Sequence, residues 1–160
     1  MGELYLFASI GGTNVAIRTC QIEAVVKLTE ISPVPRVPSH VVGLSALRSR
    51  VLTIIDTAAL VWGRQATAAP GSFAIITDIV GHSYGMTVDS VSDIAPAVSG
   101  ELPLCGQLDP AWRPFTQKMV ENENGPHLLI SLSSFVEQMQ PLAARRGRLP
   151  FSYEDAVALA

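Results

Sequence analysis

The sequence predicts a mostly β protein built from two small barrel-like units, with a short helix between them and a second helix toward the C-terminus. Three observations predict it. A shift of 69 positions lays Leu4 on Phe73, Leu6 on Ile75, Phe7 on Ile76 and Ile10 on Ile79, then Gly12 on Gly81, Ile17 on Met86, Ile22 on Val91 and Val25 on Ile94. Each copy reads as strand, glycine turn, strand and a further extended segment, the pattern of an antiparallel meander. The remaining apolar runs are short and bounded by turn residues, and closing such strands into small barrels removes their exposed edges. With two copies and not three, the repeat is no solenoid.

Taken in order, residues 4–10 and 14–19 make a first hairpin around Gly11-Gly12, followed by an extended stretch at 24–31. Pro35 and Pro38 fix the next approach, since proline locks φ and pushes its predecessor toward extended geometry. A short helix is expected over 39–47, with Val42, Leu44 and Leu47 available for burial. Val51, Leu52, Ile54 and Ile55 form a β-branched apolar run that ends at Asp56, which is a buried strand. The small, polar stretch 65–71 is a loop between the two units. Residues 72–80 and 83–88 make the second hairpin around Gly81, and 115–120 with 127–132 make a third, joined through Asn124-Gly125. Ser133 or Ser134 is placed to cap a helix toward Arg145 with Phe135, Val136, Met139 and Leu142 as its apolar stripe, limited by Pro141. Residues 1–144 are expected to form the domain and 145–160 a tail, where Arg145, Arg146 and Arg148 read as a solvated basic run. A short tail helix would put Tyr153, Ala156, Val157 and Ala160 on one face.

Composition narrows the function. A chain of 160 residues is long enough for a proper core. Its charged fraction of 16% is low against roughly 25% for average proteins, which favours protein-contact surface. The net charge of −3 argues against a nucleic-acid partner, because such partners demand a basic footprint that displaces counterions. No signal peptide or spanning segment is read, so membrane insertion is not expected. Cys20 and Cys105 are too few for a disulfide framework, so a reducing cytosol is the expected compartment and each cysteine is read as a buried small hydrophobe.

Residues 34–57 carry the most specific signal: Pro38, Gly43, Leu44, Leu47, Arg48, Ile54, Ile55 and Asp56. A second stretch, YGMTVDSVSDI, holds Gly85, Val88, Asp89, Val91, Asp93 and Ile94, and a third, HLLISLSSFV, begins at His127. In that order and at that separation they resemble the CheW-like domain, the adaptor fold of bacterial chemotaxis arrays. The resemblance runs from about Leu4 to Val136. It implies two intertwined five-stranded, SH3-like barrels sharing a core, with no catalytic activity and no cofactor. It also implies cytoplasmic partners: the cytoplasmic tip of a methyl-accepting chemoreceptor and the regulatory domain of the histidine kinase CheA. Receptor contact in the family lies along a groove between the barrels. The matching positions are Ile22, Ala24 and Val25 from the first unit, Val42, Leu44 and Arg48 from the expected helix and its corner, and Val88 and Val91 opposite. Arg48 would face the groove from a helix-to-strand corner; the plainer reading makes Arg48 and Arg50 solvated charges at a helix end.

The chain departs from the family pattern at four places. Ala46 replaces the asparagine usual before the Leu-Arg pair, Ser49 the glycine after it, and Thr53 the proline near the end of the strand. Ala24 stands where an acid is often found, with Glu23 beside it on the opposite face of a strand. These changes describe a divergent member.

Catalytic chemistry finds little support. His40, His82 and His127 have no metal-ligand spacing, no serine sits in a nucleophile elbow, and Asp89 with Asp93 lacks a third ligand or partner base. Gly11-Gly12 precedes Thr13-Asn14 and not a helix start, so it is a hairpin turn and no phosphate loop. Two other readings stand beside the adaptor: a β-barrel that binds a small ligand or hydrolyses it in an apolar pocket, and an array-filling structural adaptor that does not bind kinase.

Overall fold

The computed structural model describes residues 3–104 and 106–139. The first half holds β1 (Leu4–Ile10), β2 (Thr13–Arg18), β3 (Ala24–Lys27), β4 (Val41–Leu47), β5 (Arg50–Ile55) and the helix α1 (Thr57–Trp62). The second holds β6 (Phe73–Ile79), β7 (His82–Val88), β8 (Ser90–Pro96), β9 (Leu102–Pro103), β10 (Thr116–Asn122), β11 (Gly125–Ile130) and α2 (Leu132–Met139). Short 3-10 turns at Thr19–Gln21 and Pro110–Phe115 complete the description.

The 69-residue repeat is a true structural duplication. Phe73 lies 69 positions after Leu4, and β6 coincides with the shifted β1 at both ends. The repeat extends further than its sequence signal. Thr116 lies 75 positions after Val41 and Gly125 lies 75 after Arg50, so β4 and β5 fall on β10 and β11.

The meander expectation is corrected at the third strand of each copy, because the halves exchange it. β3 pairs antiparallel with β6 (Val25 opposite Ile75), and β8 pairs with β1 (Leu6 opposite Ile94), which is the same register under the 69-residue shift. The resulting sheets run β8-β1-β2-β11-β10-β9 and β3-β6-β7-β5-β4. Each has one parallel seam, Ile54 beside Gly85 in one and Leu129 beside Ala16 in the other. Backbone bonds beyond the strands curl each sheet upon itself. Ser32 exchanges bonds of 2.7 and 2.9 Å with Leu44, and Val98 N–H donates to the Glu121 carbonyl at 2.9 Å. This mostly β, interleaved architecture is consistent with the paired barrels that the resemblance implies, with six strands in one sheet where five are expected.

The core lies between the sheets. Leu6, Ile10, Val15 and Ile17 meet Ile55, Ile75, Met86 and the α2 residues Phe135 and Val136, all buried. Fully burying such side chains contributes about 1.5–3 kcal/mol each. Phe115 stacks on Phe135 with centroids 4.5 Å apart, and the buried Trp112 satisfies its indole N–H on Thr13 Oγ1 at 3.1 Å.

The expected helix at 39–47 is strand β4. Val41 and Val42 are β-branched and Gly43 is a poor helix former, so intrinsic preference already leaned against a helix. Pairing decides the outcome: β4 bonds to β5 along its length and to Ser32 at Leu44. Gly43 is required there, because a Cβ would lie 2.3 Å from the Ser32 carbonyl oxygen. The short helix between the units is α1 instead, capped by Asp56 and ended by Gly63 in the left-handed region. Helix α2 starts at Leu132, so Ser133 and Ser134 lie inside it, while Phe135, Val136 and Met139 are buried as its apolar stripe predicts. Cys20 is exposed, against the expectation of burial, because the 3-10 turn at Thr19–Gln21 carries it off the core face of β2. Cys105, Pro141, Leu142, the helix extension to Arg145 and the whole tail call for 145–160 lie outside the described residues.

Candidate functional site

The interleaving creates two equivalent corners, each where a helix start of one half meets the end of a hairpin. At the first, the Thr19–Gln21 turn leads into Ile22 and Glu23, β6 supplies Thr77, Asp78 and Ile79, and α2 supplies its first turn. Between them lies a groove of about 550 Å³. Ile22 and Ile79 give it an apolar floor that rests on the central core. Gln21 ties the corner together: its Oε1 accepts from Leu132 N–H at 3.0 Å, and its carbonyl accepts from Thr77 Oγ1 at 2.8 Å.

A charge cluster marks the rim. Arg50 donates to both carboxylate oxygens of Glu23, one bond being 3.1 Å, and lies 3.5 Å from Asp78 Oδ2. The hydrogen bond to Glu23 is the main reason the Arg50 guanidinium is held above its ordinary pKa. Because Arg50 faces Leu47 across the β4–β5 turn, this contact brings Arg48 and Ser49 beside the groove. Arg48 is exposed at the hairpin tip with φ +57°. The helix-to-strand corner expected for it is thus a two-residue turn, and the helix-dipole reading falls with the helix. Among the described residues Arg48 forms no ion pair, so its charge is available.

The other predicted positions divide. Val25 is 37% exposed on β3 opposite Ile75, whereas Ala24 and Val42 pack together against Leu52, Ile54 and Ile76 inside the curled sheet. Leu44 packs on Val34 on the other side of β4. Val88 is buried and Val91 half-buried against the central core at the second corner, where Val91 is the repeat counterpart of Ile22. Of the predicted positions Ile22 lines the groove; Val25 lies further along β3, Arg48 lies in the turn next to Arg50, and the remainder lie beneath or across the molecule. Sequence reasoning missed Glu23, Arg50 and Asp78 as one cluster, and Val80, a 91% exposed valine in the turn after Ile79.

The second corner is partly covered and keeps a smaller cavity of about 310 Å³, lined by Asp56, Thr57, Thr67, Ala68, Thr87 and Val88 among others. Its counterpart of α2 is α1, and the loop after α1 folds back across the end of β7. The buried Asp56 carboxylate accepts from Ala59 N–H at 3.0 Å as a helix cap and, through its other oxygen, from Thr67 and Ala68 N–H at 2.8 and 3.0 Å. One carboxylate therefore caps the helix and fastens the loop.

Of the histidines, His127 has a structural role. His127 is buried, bonds Gly125 through Nδ1 at 3.0 Å and packs edge-on against Phe7; burial holds His40 below its ordinary pKa. Asp89 accepts from Gly12 N–H at 2.9 Å and Ser9 Oγ at 3.2 Å, which braces the first hairpin turn. Among the described residues no group of three or more His, Cys, Asp or Glu is arranged to hold a metal, and no helix is long and apolar enough to cross a membrane.

The geometry agrees with comparison to known proteins. The family model for the CheW-like domain matches residues 4–139. The chain belongs to the CheW-like domain family. A chemotaxis protein CheW of Rhizobium meliloti is 28% identical over 92 residues, which are 58% of this chain and 59% of that protein's length. The crystal structure of the scaffolding protein TtCheW from Thermoanaerobacter tengcongensis superimposes with a TM-score of 0.70 at 21% identity, covering 86% of this chain and 94% of that one, and so shares the fold. As a CheW-like domain, the chain has the Arg48 region of the motif in a hairpin and Asp56 as a cap, with both halves of the duplication preserved.

Proposed function

We propose that this chain is a non-catalytic coupling adaptor of a chemotaxis-type array, which joins the cytoplasmic tip of a methyl-accepting chemoreceptor to the regulatory domain of the kinase CheA. The observation that carries the reading is the open groove between the units, with its Ile22–Ile79 floor and the unpaired Arg48 at its rim. An amphipathic receptor helix presents what such a groove takes: an apolar stripe with polar or acidic flanks. Holding two partners at once raises their effective concentration for each other, and the rigid core transmits a displacement of one to the other. On this reading Ile22, Val25 and Arg48 touch the receptor, Ala24, Val42 and Leu44 support that edge from behind, and Val88 and Val91 hold the opposite corner. The protein works in the cytoplasm at the receptor array.

Charge reversal tests it. Arg48→Glu should weaken binding of a receptor-tip fragment by about 2 kcal/mol, roughly thirtyfold, while Arg113→Glu, an exposed control, should change it by less than about 1 kcal/mol. Equal affinities with all three proteins folded by circular dichroism would remove Arg48 from the interface. Adding the kinase fragment separates the coupling adaptor, which forms a ternary complex, from an array-filling one, which does not.

A further inference from the structure

We propose that Val80 is the apolar anchor at the mouth of the open groove, where it receives an aliphatic side chain of the receptor helix; this rests on the reading of the groove as the receptor seat. The β6–β7 turn is Val80-Gly81, with φ +52° and +80°. Turns of this kind favour glycine or asparagine at the first position, and a β-branched residue there is a steric outlier. Strain of that kind persists where it serves something. Among the described residues it serves no packing, because Val80 is 91% exposed.

The duplication supplies the control. The counterpart turn is Gly11-Gly12, with φ +56° and +83°. Gly11 has no room for a side chain, since a Cβ would come 2.5 Å from Trp62 Nε1. One copy of the turn is therefore covered and must be glycine, and the other is open and carries valine. Position tells what the open one is for. Asp78 and Ile79, immediately before it, line the groove, and Val80 follows them in the turn just beyond the end of the strand. A receptor helix that runs past that end of the groove would cover it.

The experiment compares wild type, Val80→Gly and Val80→Asn for thermal midpoint and for affinity to a receptor-tip fragment, with Arg48→Glu in parallel. Both Val80 variants relieve the turn, so the midpoint should rise by about 2–4 °C or more. Receptor affinity should nevertheless fall at least fivefold. A raised midpoint with unchanged affinity would overturn the proposal and leave the groove reading intact if Arg48→Glu still loses binding. A fall in both midpoint and affinity would also overturn it, because the loss would then run through folding. If wild type fails to bind the fragment at all, the groove reading and this proposal fall together.

Discussion

The two corners of the duplicated fold share one backbone plan and differ, among other positions, in the residue that precedes the helix. At the covered corner Asp56 precedes α1; at the open corner its counterpart before α2, 75 positions on, is Ser131. A carboxylate has two acceptor oxygens and a full charge, so Asp56 holds a helix end and a loop together. Among the described residues the Ser131 hydroxyl meets the neighbouring Ser133 hydroxyl at 2.9 Å and fastens no loop. The side chain at the cap therefore distinguishes a corner with a loop tied across it, where the cavity is about 310 Å³, from one whose groove is about 550 Å³.

The largest effect should come from releasing that helix end and loop. Asp56→Ala removes the acceptor of three N–H groups in a buried place, which should cost about 3–5 kcal/mol, measured by denaturant unfolding. Asp56→Asn keeps a good cap and should cost about half as much while still loosening the loop. Hydrogen exchange at Thr67 and Ala68 should accelerate in both variants. Slow exchange there in Asp56→Ala would show that the loop does not depend on the carboxylate.

A second contrast is between the two charge clusters. On the six-stranded sheet, Glu101 accepts from Tyr5 Oη at 2.9 Å, from Arg18 at 2.7 and 2.9 Å, and from Lys118 at 3.3 Å. The Arg18 hydrogen bonds, with those of Tyr5 and Lys118, pull the Glu101 carboxyl from 4.5 to about 2, while burial and Glu101 push the Tyr5 phenol up to about 12. The Arg50 cluster lies in the open, where hydration and salt compete with it, so Arg50→Ala should leave the unfolding midpoint nearly unchanged. Glu101→Gln should cost about 1.5–3 kcal/mol. The pH dependence follows from the depressed carboxyl: its stabilisation is fully present above 4.5 and is lost as pH falls toward about 2. Unfolding measured across that window should be steeper for wild type than for Glu101→Gln. Parallel curves would mean that Glu101 is no more bound in the folded state than in the unfolded chain.

Much of this was legible in the sequence, and the failures have physical causes. Hairpins with glycine turns are local, so β1–β2 and β6–β7 follow from a few residues each. The exchange of β3 and β8 is not local: either partner satisfies the same apolar alternation, and only the closed core selects. Residues 39–47 fit a helical stripe at Val42, Leu44 and Leu47 as well as a strand, and pairing with β5 and Ser32 decided for the strand. α1 carried its own signals in Asp56 and Gly63, overlooked because six residues of helix directly follow a buried strand. Of the groove, Ile22 was named through the family resemblance and is one of its lining residues. The Glu23–Arg50–Asp78 cluster was not legible, since it joins the segment before β3 to β5 and β6, which no short window contains.

The smallest effects sharpen the comparison most. Ser131→Ala should cost under about 0.5 kcal/mol, well below the ordinary value for losing a serine cap. The reason is that the role is already filled. Leu132 N–H, at the start of α2, donates to Gln21 Oε1 across the groove, and the Ser131 contribution to the next turn is its backbone carbonyl, which accepts from Ser134 N–H at 3.1 Å and survives the substitution. Gln21→Ala should therefore cost about 1 kcal/mol, more than the cap residue itself, by orphaning Leu132 N–H at a half-buried site. Urea unfolding of Ser131→Ala, Gln21→Ala and the double variant decides the matter. A double variant that loses only the sum of the two is expected, since the groups do not touch the same partner. If Ser131→Ala instead costs as much as Gln21→Ala, the serine is a working cap, and the contrast between the corners then lies in the loop that Asp56 fastens and not in whether the helix is capped.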